Sequence, residues 1–208
     1  MKKSLLLTAA LVALTSIGAH ATELKQYVTT RLNYNFMKPE YKAEGGDTWN
    51  FKDQVVGGAI AYGVKISDFR AEVEGFYNAK AKDTLNGYID DGMDIIPISA
   101  PVEIKTKGLF LNGYWDIPTD IKLPIKPYIS AGIGYAWKEA GFSLFGEKYT
   151  EKDKGLAWNV GLGASYELQQ NWNLDFGYRY ENLGDLKDDG DKTKIQNHKI
   201  TLGIRYTF

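Results

Sequence analysis

The chain has 208 residues and no cysteine, with 25 lysines and arginines against 26 acidic residues and a formal net charge of −1. Without cysteine there is no disulfide, no thiolate metal site and no lipidated N-terminal thiol. A charge so mild and so mixed in sign argues against nucleic acid and against a polybasic lipid anchor.

Residues 1–21 differ in kind from the rest. Lys2 and Lys3 make a basic start, Leu5 to Leu14 form an apolar stretch broken only by Thr8, and Ala19-His20-Ala21 supplies the small residues a signal peptidase reads. The stretch is far short of the roughly 20 residues a membrane helix needs. The pattern predicts a secretory signal peptide cleaved after Ala21, then one domain over 22–208. That domain has 25 − 2 = 23 basic and 26 acidic residues, a net −3.

The rest alternates with period two. Val28, Thr30, Leu32, Tyr34 and Phe36 share one face, against Thr29, Arg31, Asn33 and Asn35. A second segment sets Val56, Ile60, Tyr62, Val64 and Ile66 against glycines, alanines and Lys65. A third opposes Phe69, Ala71, Val73 and Tyr77 to Arg70, Glu72, Glu74 and Asn78, and a fourth opposes Leu109, Leu111 and Trp115 to Gly108, Asn112 and Tyr114. The same pattern follows around Ile129–Trp137, Leu156–Tyr166, Trp172–Glu181 and His198–Phe208, making eight segments. Short links at Ser67-Asp68 and Gln169–Asn171, and a medium one with Pro118, Pro124 and Pro127, alternate with long polar links at 38–52, 79–104, 139–154 and 183–197.

No mature segment is apolar enough for a membrane helix, so the route across a bilayer left to this chain is a closed barrel. The apolar face carries the large residues, with Phe36, Phe69, Tyr77, Trp115, Trp137, Trp172, Tyr180 and Phe208 near segment ends, as interfacial aromatic girdles require. The opposite face is small or charged, a poor core for a soluble sandwich but a fitting lumen. The expected fold is therefore an all-β, eight-stranded antiparallel up-and-down transmembrane β-barrel in a bacterial outer membrane. An even strand count puts both ends on the periplasmic side and the four long links outside.

Leu109–Pro118, Pro127–Ala136, Leu174–Tyr180 and Leu202–Phe208 resemble the corresponding strands of the opacity-protein and OmpA/OmpX-type small outer-membrane barrels. The resemblance implies a closing strand whose C-terminal aromatics, Tyr206 and Phe208, are read by the barrel-assembly machinery. It also implies contact with outer-membrane lipid and lipopolysaccharide.

Among candidate sites, the inward charges Arg31, Arg70, Glu72, Glu74, Asp175, Arg179, Glu181 and Arg205 are expected to pair in the lumen, because isolated buried charges cost many kcal/mol. Glu72 and Glu74 lie beside Arg70, and Asp175, Arg179 and Glu181 beside Arg205 on the next strand, as a ladder of pairs would need. Catalysis is poorly supplied: the single mature histidine, His198, faces Tyr178, Tyr180 and Asn182 and no serine. Asp188-Asp189-Gly190-Asp191 misses the calcium-loop register and lacks its glutamate. No cofactor and no metal are expected. Loops 79–104 (Ile95, Ile96, Ile98, Val102) and 139–154 (Phe142, Leu144, Phe145, Tyr149) hold apolar clusters that suit either an external ligand site or strands rising above the membrane. The expected function is a monomeric, non-enzymatic envelope or surface-interaction barrel. The alternatives are a small-solute pore and, further off, a lipid A-modifying enzyme.

Overall fold

The computed structural model describes residues 23–42, 48–50, 53–90, 95–119, 124–144, 147–188 and 191–208; the expected signal peptide, with Ala19 and Ala21, lies outside them. The strands are β1 (Leu24–Lys42), β2 (Thr48–Asn50), β3 (Asp53–Ile66), β4 (Phe69–Asp90), β5 (Ile95–Asp116), β6 (Ile125–Leu144), β7 (Glu147–Gln169), β8 (Trp172–Asp188) and β9 (Asp191–Thr207). Sequence neighbours pair antiparallel around the sheet, and β9 pairs back onto β1 to close it. The short β2 continues β3, since Glu40↔Asn50 and Met37↔Asp53 keep one register along β1. The wall is thus eight strands thick in sequence order. Closure leaves no strand edge with unpaired backbone groups facing hydrocarbon.

Partners followed once around the wall lead from Gln26 through Val64, Ala71, Gly113, Ala131, Val160, Tyr180 and His198 to Phe36, ten residues along β1 from the start. Such a stagger over eight strands tilts them by about 40° and leaves an interior that side chains just fill.

Alternation decides which side chains fill it. Tyr27, Thr29, Arg31, Asn33, Asn35 and Met37 of β1 are buried in the lumen, while Val28, Leu32 and Tyr34 face outward. The outward surface is strongly apolar: Ile133 is 70% exposed and Leu156 81%. Water would reject a continuous belt of that kind, and lipid accepts it. Phe69, Trp115, Trp172 and Phe208 lie near the end that holds both termini; Tyr77, Trp137, Trp158 and Tyr178 lie towards the other. Phe69 and Tyr77 sit eight positions apart on one strand. At ~3.3 Å per residue and the tilt above, the girdles stand about 20 Å apart, close to the apolar band of such barrels.

At the terminal end the turns are tight. Ser67 takes φ 53° in the two-residue β3–β4 turn. Just before Pro118, Ile117 N–H donates to the Pro127 carbonyl at 2.8 Å. At the other end the strands run on, pairing as far as Asp90↔Ile95, Leu144↔Glu147 and Asp188↔Asp191. The four links expected as polar loops are therefore, among the described residues, largely paired strand. The side chains of Ile95, Ile96, Ile98, Val102, Phe142, Leu144, Phe145 and Tyr149 lie outside what is described.

A β-bulge between Asn78 and Ala81 explains why 79–104 looks unpatterned in sequence. Below it the inward residues of β4 are Arg70, Glu72, Glu74, Phe76 and Asn78; above it Ala81 turns inward, and the phase of the alternation flips. A second bulge between Asn182 and Asp185 places Gly184 at φ 81°, its N–H donating to Asn182 Oδ1 at 2.9 Å.

Most inward glycines sit where a side chain has no room, Gly155 near the hairpin end being an exception. A Cβ on Gly134 would stand 3.0 Å from the backbone Cα of Phe110. Outward glycines are different: a Cβ on Gly75 would meet only Leu109 Cδ2, at an ordinary 3.6 Å. Gly134→Val is expected to abolish refolding, whereas Gly75→Leu folds. The check is gel mobility with and without boiling: the second variant keeps the heat-dependent shift of a stable barrel and the first loses it.

Candidate functional site

The inward face carries the polar chemistry of the described residues, arranged in tiers along the barrel axis. Nearest the termini, Arg70 Nε donates to Asp116 Oδ1 at 2.9 Å and Lys65 reaches the other oxygen of that carboxylate. Arg70 also lies 3.8 Å from Asp175, which pairs with Arg205 at 3.3 Å and accepts from the Ser165 hydroxyl. Tyr114 and Tyr128 hold the Arg70 guanidinium over their rings, at 4.5 and 5.0 Å.

The middle tier centres on two glutamates of β4. Arg31 bonds Glu72 at 2.9 Å and Glu74 at 2.6 Å. Glu72 also accepts from the Tyr114 hydroxyl at 2.6 Å, the Tyr27 hydroxyl at 3.2 Å and Asn112 Nδ2 at 3.3 Å. Arg179 donates to Glu74 at 2.7 Å and to the Tyr114 hydroxyl at 2.9 Å. Above this, Lys199 donates to Glu181 at 2.6 Å and Asn197 to the same carboxylate at 3.1 Å.

These bonds cross the barrel. In the closed order of the wall, β4 and β8 stand on opposite sides, four strands apart either way. Arg179–Glu74 and Arg70–Asp175 both join β8 to β4, so the lumen is bridged across its full width at two heights. The six buried cations Arg31, Arg70, Lys138, Arg179, Lys199 and Arg205 face five buried anions, Glu72, Glu74, Asp116, Asp175 and Glu181, and the partly exposed Asp153 lies 3.4 Å from Lys138. Close pairing of opposite charges is what a buried ionic cluster requires; the Arg70–Asp175 approach is an ion pair without a hydrogen bond, since Arg70 Nη1 and Asp175 Oδ2 have no hydrogen-bond partner.

The hairpin end of the lumen is mostly apolar instead, with the buried Lys138 as a charged exception. Met37, Val55, Phe76, Phe110, Ile104, Leu183 and Ile195 pack there, with Phe76 and Phe110 stacked at 5.3 Å. Lys199 Nζ lies 5.1 Å over the Phe76 ring, where the two tiers meet.

All eight charges singled out from the sequence lie inside the wall; on the β8–β9 side Arg205 pairs with Asp175 at 3.3 Å and Arg179 approaches Glu181 at 3.9 Å, but on β4 the expected pairing of Arg70 with Glu72 and Glu74 does not form. Arg70 bonds Asp116 and approaches Asp175 rather than Glu72 or Glu74, and those glutamates go to Arg31 and Arg179. Residues two apart on one strand are separated by nearly 7 Å, whereas side chains converge on a narrow axis from all sides. The sequence set also omits Asp116, Lys65, Lys199 and Lys138. Lys199 and Asp116 share parity with Arg205 and Tyr114, and counting in twos would have reached them. Lys138, buried beside Asp153 at 3.4 Å, lies in a stretch expected as loop.

Elsewhere, His198 faces outward, its Nδ1 2.5 Å from the Tyr178 hydroxyl and its ring edge-to-face with Tyr180 at 5.3 Å. Among the described residues no group of three or more His, Asp or Glu is placed to hold a metal ion. Asp189 and Gly190 of the acidic turn lie outside the described residues. Tyr206 packs on Trp172 and on Phe208, at 4.8 and 5.3 Å, and Phe208 N–H donates to the Gln26 carbonyl at 2.8 Å.

The family model for the outer membrane protein beta-barrel domain matches residues 7–208. Outer membrane protein PagN of Salmonella typhimurium is 30% identical over 182 residues, covering 74% of this chain and 73% of that protein. Among solved structures, Neisserial surface protein A superposes with a TM-score of 0.58 at 21% identity, covering 88% of this chain and 97% of that one. Ail, the attachment invasion locus protein of Yersinia pestis, in complex with the heparin analogue sucrose octasulfate, gives 0.51 at 14% identity, covering 88% and 99%. At these identities the solved structures attest the fold.

The Lys199–Glu181 pair is fully buried on both sides, 2.6 Å apart. Glu181→Gln is expected to cost ~3 kcal/mol by stranding a buried ammonium. Adding Lys199→Met, which leaves an apolar chain over Phe76, should recover most of it. Urea unfolding of the refolded barrel measures both; equal losses in the single and the double variant would contradict the coupling.

Proposed function

Because the chain belongs to the outer membrane protein β-barrel family, a family of the bacterial outer membrane, we propose that it is a non-enzymatic surface barrel. Its lumen is a plug, and its paired hairpins engage an external partner. The observation that carries this reading is the full-width bridging of the lumen by Arg179–Glu74 and Arg70–Asp175 under an apolar cap. A passage crossed by neutralised, mutually bonded side chains conducts nothing unless several buried pairs break together. Among the described residues His198 bonds the Tyr178 phenol, with no serine beside it.

That leaves the end where strand pairs rise beyond the girdle. With both termini in the periplasm, the hairpins stand outside the cell. Backbone pairing carries the described strands up to Asp90↔Ile95, Leu144↔Glu147 and Asp188↔Asp191 at that end. The fold-level likeness to Ail, solved with a sulfated ligand, makes sulfated polysaccharide a sensible first probe. Tyr206 and Phe208 act as the assembly signal on the closing strand, and residues 1–21 direct export.

Two outcomes are expected. In planar bilayers the refolded barrel shows no steady conductance; stable nanosiemens steps would establish the pore instead. In surface binding to a panel that includes a heparin analogue, replacing residues 85–100 with a two-residue turn removes binding and preserves heat-modifiable mobility. Undiminished binding by that variant would place the contact elsewhere.

A further inference from the structure

A groove of roughly 710 Å³ opens in the wall where β3, β4 and β5 meet, with Trp137 of β6 at its edge. It exists because two outward positions carry no side chain. Gly58 pairs with Tyr77 and Gly75 with Ile60, so the two glycines are diagonal neighbours and their gaps merge. Ile60 and Leu109 flank the opening on the lipid side. At its hairpin end stand Tyr77, Lys107 and Trp137, side by side on three strands.

From this arrangement we propose that the groove is a specific site for a phosphate-bearing lipid of the membrane, one acyl chain lying over Gly58 and Gly75 and the headgroup held by Lys107. The cations of this girdle support the assignment. Lys107 and Lys154 flank Trp137 on one row of the sheet. Among the described residues neither ammonium has an acidic partner. One row further out the lysines do have an acidic partner, Glu139, 3.6 Å from Lys105 and 4.0 Å from Lys152. The two unneutralised ammoniums sit two strands apart, about 10 Å at ~4.8 Å per strand. That spacing suits a headgroup carrying more than one phosphate.

The aromatic neighbours fit the same occupant, since Tyr and Trp favour the level where acyl chains give way to headgroups. A second copy of the barrel fits less well. A two-fold contact through this face would press each girdle's unpaired lysines towards those of its partner, like charge against like in a drying interface.

The site can be filled without breaking the fold. A Cβ on Gly58 meets only the Arg31 carbonyl, at 3.7 Å, and one on Gly75 only Leu109, at 3.6 Å. The test is native mass spectrometry of the refolded full barrel, released from neutral detergent after mixing with either bisphosphorylated lipid A or its dephosphorylated form. The parent protein should retain the phosphorylated lipid in preference. Gly75→Leu should lower retention of both lipids. Lys107→Gln should lower the phosphorylated adduct about tenfold, the loss of one charge-assisted contact, and leave the dephosphorylated one unchanged. Equal retention of both lipids by the parent, or an adduct indifferent to Gly75→Leu, would overturn the proposal. So would a protein dimer that disappears in Gly75→Leu, which would make the groove a contact between two copies. Conductance and hairpin binding are read separately, so their failure and the failure of this site are distinguishable.

Discussion

Closure of eight strands with a stagger of ten residues is the constraint on which everything else depends. It makes the interior so narrow that a side chain from one wall reaches the opposite wall. An arginine on β8 then has a glutamate of β4 within hydrogen-bond distance, although 105 residues separate them. A wider barrel with the same inward residues would hold solvated charges and an open channel. In this one, each charge must be neutralised by another side chain because there is little water to do it.

The division of the lumen into tiers follows from the same crowding. Charges occupy the middle and the terminal end, where Arg, Glu and Tyr interlock and aromatic rings shield Arg70 from both sides. Towards the hairpins, phenylalanines and aliphatic residues take over and form a small dry core inside the barrel. The outside of the wall has the opposite logic: a belt of large apolar residues between two aromatic rows, interrupted where Gly58 and Gly75 leave a groove. The lumen is thus crossed by side chains, the lipid face is interrupted at one groove, and the strand pairs run on beyond the girdle at the hairpin end.

Much of the architecture was legible because a two-residue period in the sequence is the same period in space. Arg31, Glu72, Glu74 and Arg179 could be placed inside by parity alone, and Trp115, Trp137 and Trp172 outside. The hairpins were not legible. At Asn78/Ala81 one extra residue shifts the phase, and the alternation beyond the bulge runs against the pattern set below it. Lys138 was missed for a related reason, since its stretch is rich in polar residues that a paired strand accepts as readily as a loop.

By itself, the sequence determined the strand count, the facing of each residue within a strand, and the outward position of the aromatic rows, because these depend only on local alternation and on the chemistry of lipid and water. Which arginine meets which glutamate was decided by the tertiary structure alone. Parity says that Arg70 and Glu72 share a face; only the stagger and curvature of the closed wall turn Arg70 towards Asp116 and Asp175 and send Glu72 to Arg31. The groove over Gly58 and Gly75 belongs to the same class. Two glycines far apart in the chain become one site only when the register sets them diagonally side by side.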